Sequence, residues 1–150
     1  MQTRRTFAAT LATLVLAALH ITGVHAGGTT HHLALQISDN DPDKMTAVLN
    51  VASNVSRLYA AKGEEVEIQV VAFNAGLHML RVDTSPIKDR LQSFSQSMPN
   101  VSFKACNNTR EAMAKREGKE IEIVPNATIV PAGAITLIEL SEKGWTVLRP

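Results

Sequence analysis

Residues 66–73, with the sequence VEIQVVAF, give the strongest indication of the fold class. Apolar and polar residues alternate from Val66 to Val70, and the segment is then continuously apolar through Phe73. In a strand with one solvent-exposed face, apolar and polar residues alternate throughout. A strand inside a parallel sheet is apolar on both sides, because helices cover both faces. The segment therefore predicts an internal strand of a parallel sheet, which ends at the turn-forming sequence Asn74-Ala75-Gly76.

On the amino-terminal side of this segment, a strand and a helix are predicted. Residues 31–37 have strand composition and end in the turn sequence Ser38-Asp39-Asn40. Asp41 then has the properties of a helix N-cap, and Pro42 suits the first helical position. Apolar residues recur at helical spacing from Met45 to Tyr59, and we expect this helix to stop at Gly63.

On the carboxyl-terminal side, strands and helices continue to alternate. A helical turn is predicted over 77–81, followed by a helix whose buried face includes Leu91. Further strands are predicted at 101–105, 121–129 and 144–148. Helices are predicted between these strands, one over 110–116 and one that starts at Pro131.

This alternation predicts an α/β fold. Strands separated by helices of about ten to fifteen residues need crossover connections, which produce parallel pairing. We therefore expect a three-layer sandwich with a mostly parallel five-stranded sheet. Only 4% of the residues are aromatic, so the core consists mainly of aliphatic side chains. The 150 residues predict one domain, residues 27–150, after a separate amino-terminal segment.

Residues 1–26 have the features of a cleavable export signal. Arg4 and Arg5 precede an apolar stretch over 7–24, and Val24-His25-Ala26 suits cleavage after Ala26. The twin arginines favour the Tat route for folded proteins, although an ordinary secretory signal can also carry two arginines. A membrane anchor is the alternative, but polar residues interrupt the stretch and no charge flanks its far side. We therefore expect a periplasmic protein.

Charge argues against two classes of partner. Removing Arg4 and Arg5 from the 15 basic residues leaves 13 against 14 acidic ones, a net charge of −1. A nucleic-acid-binding protein needs a basic surface for the phosphates, and attachment to an anionic membrane needs a polybasic segment. We therefore expect neither nucleic acid nor membrane as a partner after signal cleavage.

Cys106 is the main candidate for chemistry, and it is the only cysteine in the chain. It follows a predicted strand and precedes a predicted helix, and open parallel sheets bind ligands beyond the carboxyl ends of their strands. The amino terminus of the following helix would stabilise a thiolate and lower the thiol pKa. The alternative is an inert cysteine that packs as a small hydrophobic residue. A lone cysteine forms no internal disulfide and excludes a CxxC mechanism.

Metal binding and common cofactors have little support in the sequence. His31 and His32 are adjacent on a predicted strand and so face opposite sides. No CxxC or HxxxH spacing occurs, and neither GxGxxG nor a P-loop is present. We expect no metal and no cofactor. A metal module that uses His78 and Cys106 is the least favoured hypothesis.

The segment 101–109, VSFKACNNT, resembles the cysteine segment of DsrE/DsrF-like proteins of the DsrEFH superfamily. The Asn74-Ala75-Gly76 turn after the second strand is similar to the corresponding turn in that family. The Pro131-helix-Gly144-strand unit resembles the closing unit of the family fold, so the resemblance extends over residues 31–150. It implies a three-layer α/β sandwich, homo-oligomers such as trimers or hexamers, and a cysteine that carries sulfur as a persulfide. Only Cys106 is transferred from the family pattern.

The leading hypothesis is a periplasmic sulfur carrier or sulfurtransferase-like protein that holds sulfane sulfur as a persulfide on Cys106. Asn107, Asn108 and Thr109 would surround the sulfur with hydrogen-bond donors, while Asn74 and His78 would border the same pocket. The expected partners are a sulfane-sulfur donor and an acceptor, either a protein or a small thiol. The known relays of the family are cytoplasmic, so an exported member would need other partners. The alternative hypothesis is a non-catalytic oligomeric binding or accessory protein with the same fold.

Overall fold

The computed structural model describes residues 29–150, so the predicted signal peptide, residues 1–26, lies outside the described residues. Strands and helices alternate through this part of the chain. In order they are β1 (Thr30–Ile37), α1 (Pro42–Ala61), β2 (Glu65–Ala72), a 3₁₀ helix (Asn74–Leu80), α2 (Lys88–Ser97), β3 (Val101–Cys106), α3 (Asn107–Glu117), β4 (Ala127–Val130), α4 (Gly133–Glu142) and β5 (Thr146–Leu148).

The five strands form one sheet in the order β4-β3-β2-β1-β5, and each of the four strand pairs is parallel. The chain moves outward from β1 to β4 and then returns to the other side of β1. Because crossovers between parallel strands are right-handed, this reversal carries α4 to the face opposite the earlier helices. The predicted three-layer α/β sandwich is therefore confirmed, with a sheet that is parallel throughout.

The two faces of the sheet have separate apolar cores. The larger core, on the face covered by α1 and α2, includes Leu35, Val70 and Phe103 from the three central strands. The smaller core lies on the other face, where Leu137 and Leu140 of α4 pack against residues of β1 and β2. Within residues 29–150, no helix is both long and apolar enough to cross a membrane.

Several predicted boundaries shift in the structure. The predicted helical turn over 77–81 is the end of a longer 3₁₀ helix, and the last helix starts at Gly133 instead of Pro131. In the predicted strand 121–129, only Ala127–Val130 pairs with the sheet. Ile121 and Val124 are buried all the same, because Ile123 forms an isolated antiparallel bridge with Arg81.

Arg81 is a fully buried charge that joins the 3₁₀ helix to α3. Its side chain is 0% exposed, and its guanidinium donates to both carboxylate oxygens of Glu117, at 2.7 and 2.8 Å. It also donates to both carboxylate oxygens of Asp83, at 2.9 and 2.8 Å. These hydrogen bonds lower the pKa of each carboxyl group and raise the pKa of Arg81. Paired in this way, a buried guanidinium keeps its charge.

We expect Arg81→Ala to lower the free energy of unfolding by about 3 kcal/mol, because it removes the shared partner of two carboxylates and leaves a cavity. Urea denaturation measures the change. Arg57→Ala is the matched control, since Arg57 is an exposed arginine on α1 and its removal should change stability by less than about 0.5 kcal/mol. Equal stabilities of the two variants would contradict a structural role for the Arg81 network.

Candidate functional site

Cys106 lies at the carboxyl end of β3, beside the end of the neighbouring strand β4. From these two ends the chain continues to opposite faces of the sheet. It is the last residue of β3 and pairs in register with Val130, the last residue of β4. After β3 the chain enters α3 on the face of the larger core, and after β4 it enters α4 on the other face. Such a divergence opens a crevice at the carboxyl ends of the strands, which is the usual ligand site of an open parallel sheet.

The divergence brings the amino termini of α3 and α4 to the same sulfur atom. The side chain of Cys106 is buried, with 5% of the residue exposed. The N–H groups of Gly133, Thr109 and Asn108 and the hydroxyl of Thr109 lie near enough to lower the pKa of its thiol. The Asn108 N–H also donates to the carbonyl oxygen of Pro131, at 3.3 Å. Each of these groups is a hydrogen-bond donor at the positive end of a helix dipole. The thiol is therefore buried in a polar pocket with donors from both helices.

The pKa of Cys106 reflects two opposing effects. Burial is the largest single effect and raises the pKa, because it penalises the charged thiolate. The Thr109 hydroxyl and the N–H groups of Gly133, Thr109 and Asn108 together outweigh burial, so the pKa of Cys106 lies below the ordinary cysteine value. The side chain makes no capping hydrogen bond to the described residues of α3, so these groups act as oriented dipoles near the sulfur. The donors therefore favour the thiolate, which is the reactive form of cysteine.

Thr109 is oriented by a contact from the 3₁₀ helix. The backbone N–H of Asn74 donates to Thr109 Oγ1 at 3.0 Å. With this donor on the oxygen, the hydroxyl proton remains free for the sulfur of Cys106. Asn74 has a φ of 49°, a left-handed conformation that asparagine tolerates better than most residues. The turn predicted at Asn74 thus places an N–H donor on the hydroxyl that acts on the thiol.

Two glycines allow the close packing that builds the site. A Cβ on Gly133 would lie 2.9 Å from Cβ of Phe73, so only glycine lets the first residue of α4 approach the end of β2. A Cβ on Gly76 would lie 2.3 Å from the carbonyl oxygen of Ile37. Because real Cβ atoms do not come this close to backbone, Gly76 fixes the 3₁₀ helix against β1.

An open cleft of about 420 Å³ lies between the 3₁₀ helix and α3, and Cys106 itself does not line it. Four predicted site residues line it, namely Asn74, His78, Asn108 and Thr109. The remaining predicted neighbour, Asn107, is directed elsewhere: its amide donates to Glu111 Oε1 at 2.7 Å and accepts from Arg110 Nε at 3.1 Å. The structure thus groups four of the five predicted neighbours in one cleft and places Asn107 outside it.

His78 lines the cleft with an imidazole ring that is held in place. Its Nδ1 lies 2.7 Å from Thr84 Oγ1, in a hydrogen bond that fixes the orientation of the ring. Burial lowers the pKa of His78, and the nearby positive charge of Arg81 lowers it further. In residues 29–150, no group of three or more His, Cys, Asp or Glu side chains is arranged to hold a metal ion.

Sequence reasoning missed two contributors to the site, Gly133 and Arg116. Gly133 provides the N–H donor from α4, and its signal was the Pro131-Ala132-Gly133 sequence before an apolar helix. Arg116 lines the end of the cleft farthest along α3 from Thr109. The sequence indicates a role for Arg116 less clearly, because basic residues are common in the last turn of a helix whatever the function of the protein.

Comparison with known proteins supports the fold. No protein-family model and no curated protein matches the chain. A solved structure that is similar is MTH1491 of Methanobacterium thermoautotrophicum, described as a protein of unknown function. It is 28% identical, with a TM-score of 0.62, and the alignment covers 80% of this chain and 99% of that chain.

We expect Thr109→Val to raise the pKa of Cys106, because it removes the hydroxyl that acts on Sγ. The rate of alkylation by iodoacetamide, followed across pH, reports the thiolate fraction, so its midpoint should move to higher pH. Thr109→Ser keeps the hydroxyl and is the matched control, with a midpoint close to that of the wild type. A valine variant with an unchanged midpoint would show that Thr109 does not stabilise the thiolate.

We expect Gly133→Ala to raise the pKa of Cys106 as well, because its Cβ would push α4 away from Phe73 and withdraw the Gly133 N–H. The same alkylation profile measures the effect, and circular dichroism checks that the variant is folded. Ala134→Ser, a change at the next and exposed residue of α4, serves as the control. If both variants kept the wild-type profile, α4 would not contribute to the reactivity of the thiol.

Proposed function

We propose that this protein is a periplasmic sulfur carrier or sulfurtransferase-like protein that holds sulfane sulfur as a persulfide on Cys106. The observation that carries the proposal is the convergence of two helix amino termini on one thiol, with a lowered thiol pKa as its consequence. An inert core cysteine lies among apolar side chains, where burial raises its pKa. Cys106 is equally buried, but the donors around it reverse the direction of the shift.

The proposed reaction is a thiolate exchange in which no net oxidation occurs. The Cys106 thiolate attacks the outer sulfur of a donor R–S–SH, the S–S bond of the donor breaks, and R–S⁻ leaves with the bonding electrons. The outer sulfur remains on the protein as Cys106–S–SH. An acceptor thiolate then attacks that outer sulfur, and the Cys106 thiolate leaves. A lowered pKa suits both steps, because it raises the thiolate fraction at a given pH and makes the Cys106 thiolate a better leaving group.

The surroundings of Cys106 restrict how the donor approaches. Because only 5% of the residue is exposed, the donor has to present its sulfur at the end of a narrow group. The adjoining cleft provides a route along Thr109 and Asn108. Asn74 and His78 border that route and would contact the donor or the acceptor.

The proposed location and assembly rest on the sequence. Arg4, Arg5 and the cleavage site at Ala26 support export, and the DsrE-like resemblance supports a homo-oligomer. An exported carrier would exchange sulfur with a periplasmic donor, for example thiosulfate or a persulfidated protein, and with an acceptor thiol.

A non-catalytic binding or accessory role is the second candidate, and the burial of Cys106 favours it. In that case the cleft would hold a ligand while the thiol served only as a packing group. The two candidates differ in whether the folded protein forms a covalent sulfur adduct.

We expect the purified protein to gain the mass of one or more sulfur atoms on incubation with thiosulfate or polysulfide. Intact-mass spectrometry measures the gain, and reduction with dithiothreitol should remove it. Cys106→Ser, which differs by one atom, should gain nothing. A wild-type protein that formed no adduct and also resisted alkylation when folded would exclude the carrier and favour the binding protein.

A further inference from the structure

The cleft extends along α3, from Asn108 and Thr109 near the thiol to Arg116. Thr109, Ala112 and Arg116 face it at helical spacing. From Thr109 to Arg116 the helix rises about 10 Å, at 1.5 Å per residue. The small side chain of Ala112 leaves the middle of the cleft open. The cleft therefore has the form of a groove with the Cys106 donors at one end and a guanidinium at the other.

Within residues 29–150, the carboxylate paired with Arg116 is that of Glu117, and the ion pair is loose. The Arg116 side chain is 69% exposed, and its Nη2 lies 3.8 Å from Glu117 Oε1, which is beyond hydrogen-bond distance. Glu117 is not free to approach, because Arg81 holds both of its oxygens. Within residues 29–150 no Asp or Glu side chain lines the cleft. The far end of the groove is thus a place for an anion with planar geometry, such as a carboxylate.

The part of the groove between the two ends suits amide groups. Asn74 and Asn108 provide exposed side chains that both donate and accept hydrogen bonds. The volume of about 420 Å³ is that of a site for a small molecule. A ligand that fills it would carry a sulfur at one end, polar amides in the middle and a carboxylate at the other end.

We propose that the groove binds a short peptide-like thiol that carries a carboxylate, or the persulfide of such a thiol, with the carboxylate on Arg116 and the sulfur at Cys106. The sulfur chemistry of this ligand rests on the proposed function, whereas its binding does not. In the exchange, Cys106–S⁻ and R–S–SH become Cys106–S–SH and R–S⁻, where R contains the carboxylate that Arg116 holds. The released R–S⁻ can also serve as the acceptor in the reverse direction.

Binding is tested first with S-methylglutathione, which has the amides and carboxylates but cannot exchange sulfur. Titration followed by NMR should give saturable shifts for residues of the groove. Arg116→Gln should weaken binding about tenfold, the effect of losing about 1.4 kcal/mol. Lys115→Gln removes the same charge from the adjacent exposed position, outside the groove, and should leave the affinity within twofold. Absence of saturable shifts, or equal affinities in the two variants, would overturn the inference.

The second measurement separates this inference from the proposed function. The rate of Cys106 persulfidation is compared for glutathione persulfide and for 2-mercaptoethanol persulfide, which has the same reacting bond but no carboxylate. Arg116→Gln should slow the first reaction about tenfold and the second less than twofold. If both donors reacted equally well with the wild type and with the variant, the sulfur-carrier function would be supported and the carboxylate site at Arg116 would be contradicted. If neither donor reacted while S-methylglutathione still bound through Arg116, ligand binding in the groove would be supported and the sulfur-carrier function would be contradicted.

Discussion

The pairing of β3 with β4 is the constraint on which the site depends. These neighbouring strands run parallel and end together at Cys106 and Val130, but the chain leaves them for opposite faces of the sheet. Two helices that begin at the same edge on opposite faces necessarily direct their first N–H groups at that edge. A parallel sheet in which both connections lay on one face would offer the thiol the amino terminus of one helix only.

The remaining contacts of the site hold this arrangement in place. The 3₁₀ helix is fixed near its start by Gly76 against Ile37, and at its end by Arg81, which is paired with Glu117 of α3. Between these two points, Asn74 orients the Thr109 hydroxyl. On the opposite face, Gly133 holds α4 against Phe73. Because both helices are fixed before any charge develops, the donors need little rearrangement when the thiol ionises, which is the condition for an effective electrostatic site.

The sequence predicted the layers and the position of the thiol, because these depend on local patterns. Strand and helix periodicity predicted the α/β sandwich, and the strand-Cys-helix segment placed Cys106 at a strand end. Local patterns do not determine the order of the strands in the sheet. The sequence therefore did not predict that the N–H of Gly133 in α4 would lie near the thiol. Residues 121–129 were predicted as one strand, yet Ile121 and Val124 are buried beside a bridge that joins Ile123 to Arg81, 42 residues earlier. Asn107 has the same chemistry as Asn108, and only the helix geometry places it outside the cleft.

The network that stabilises the fold also sets the charge of the cleft. Arg116 and Glu117 are adjacent on α3, so they point about 100° apart around the helix axis. Arg81 holds both oxygens of the Glu117 carboxylate, and the ion pair between Glu117 and Arg116 is loose, at 3.8 Å. Burial lowers the pKa of His78, and the same buried guanidinium lowers it further. Among the described residues that line the cleft, Arg116 is the one Lys, Arg, Asp or Glu, so the ion pair that stabilises this region also leaves the cleft without a carboxylate.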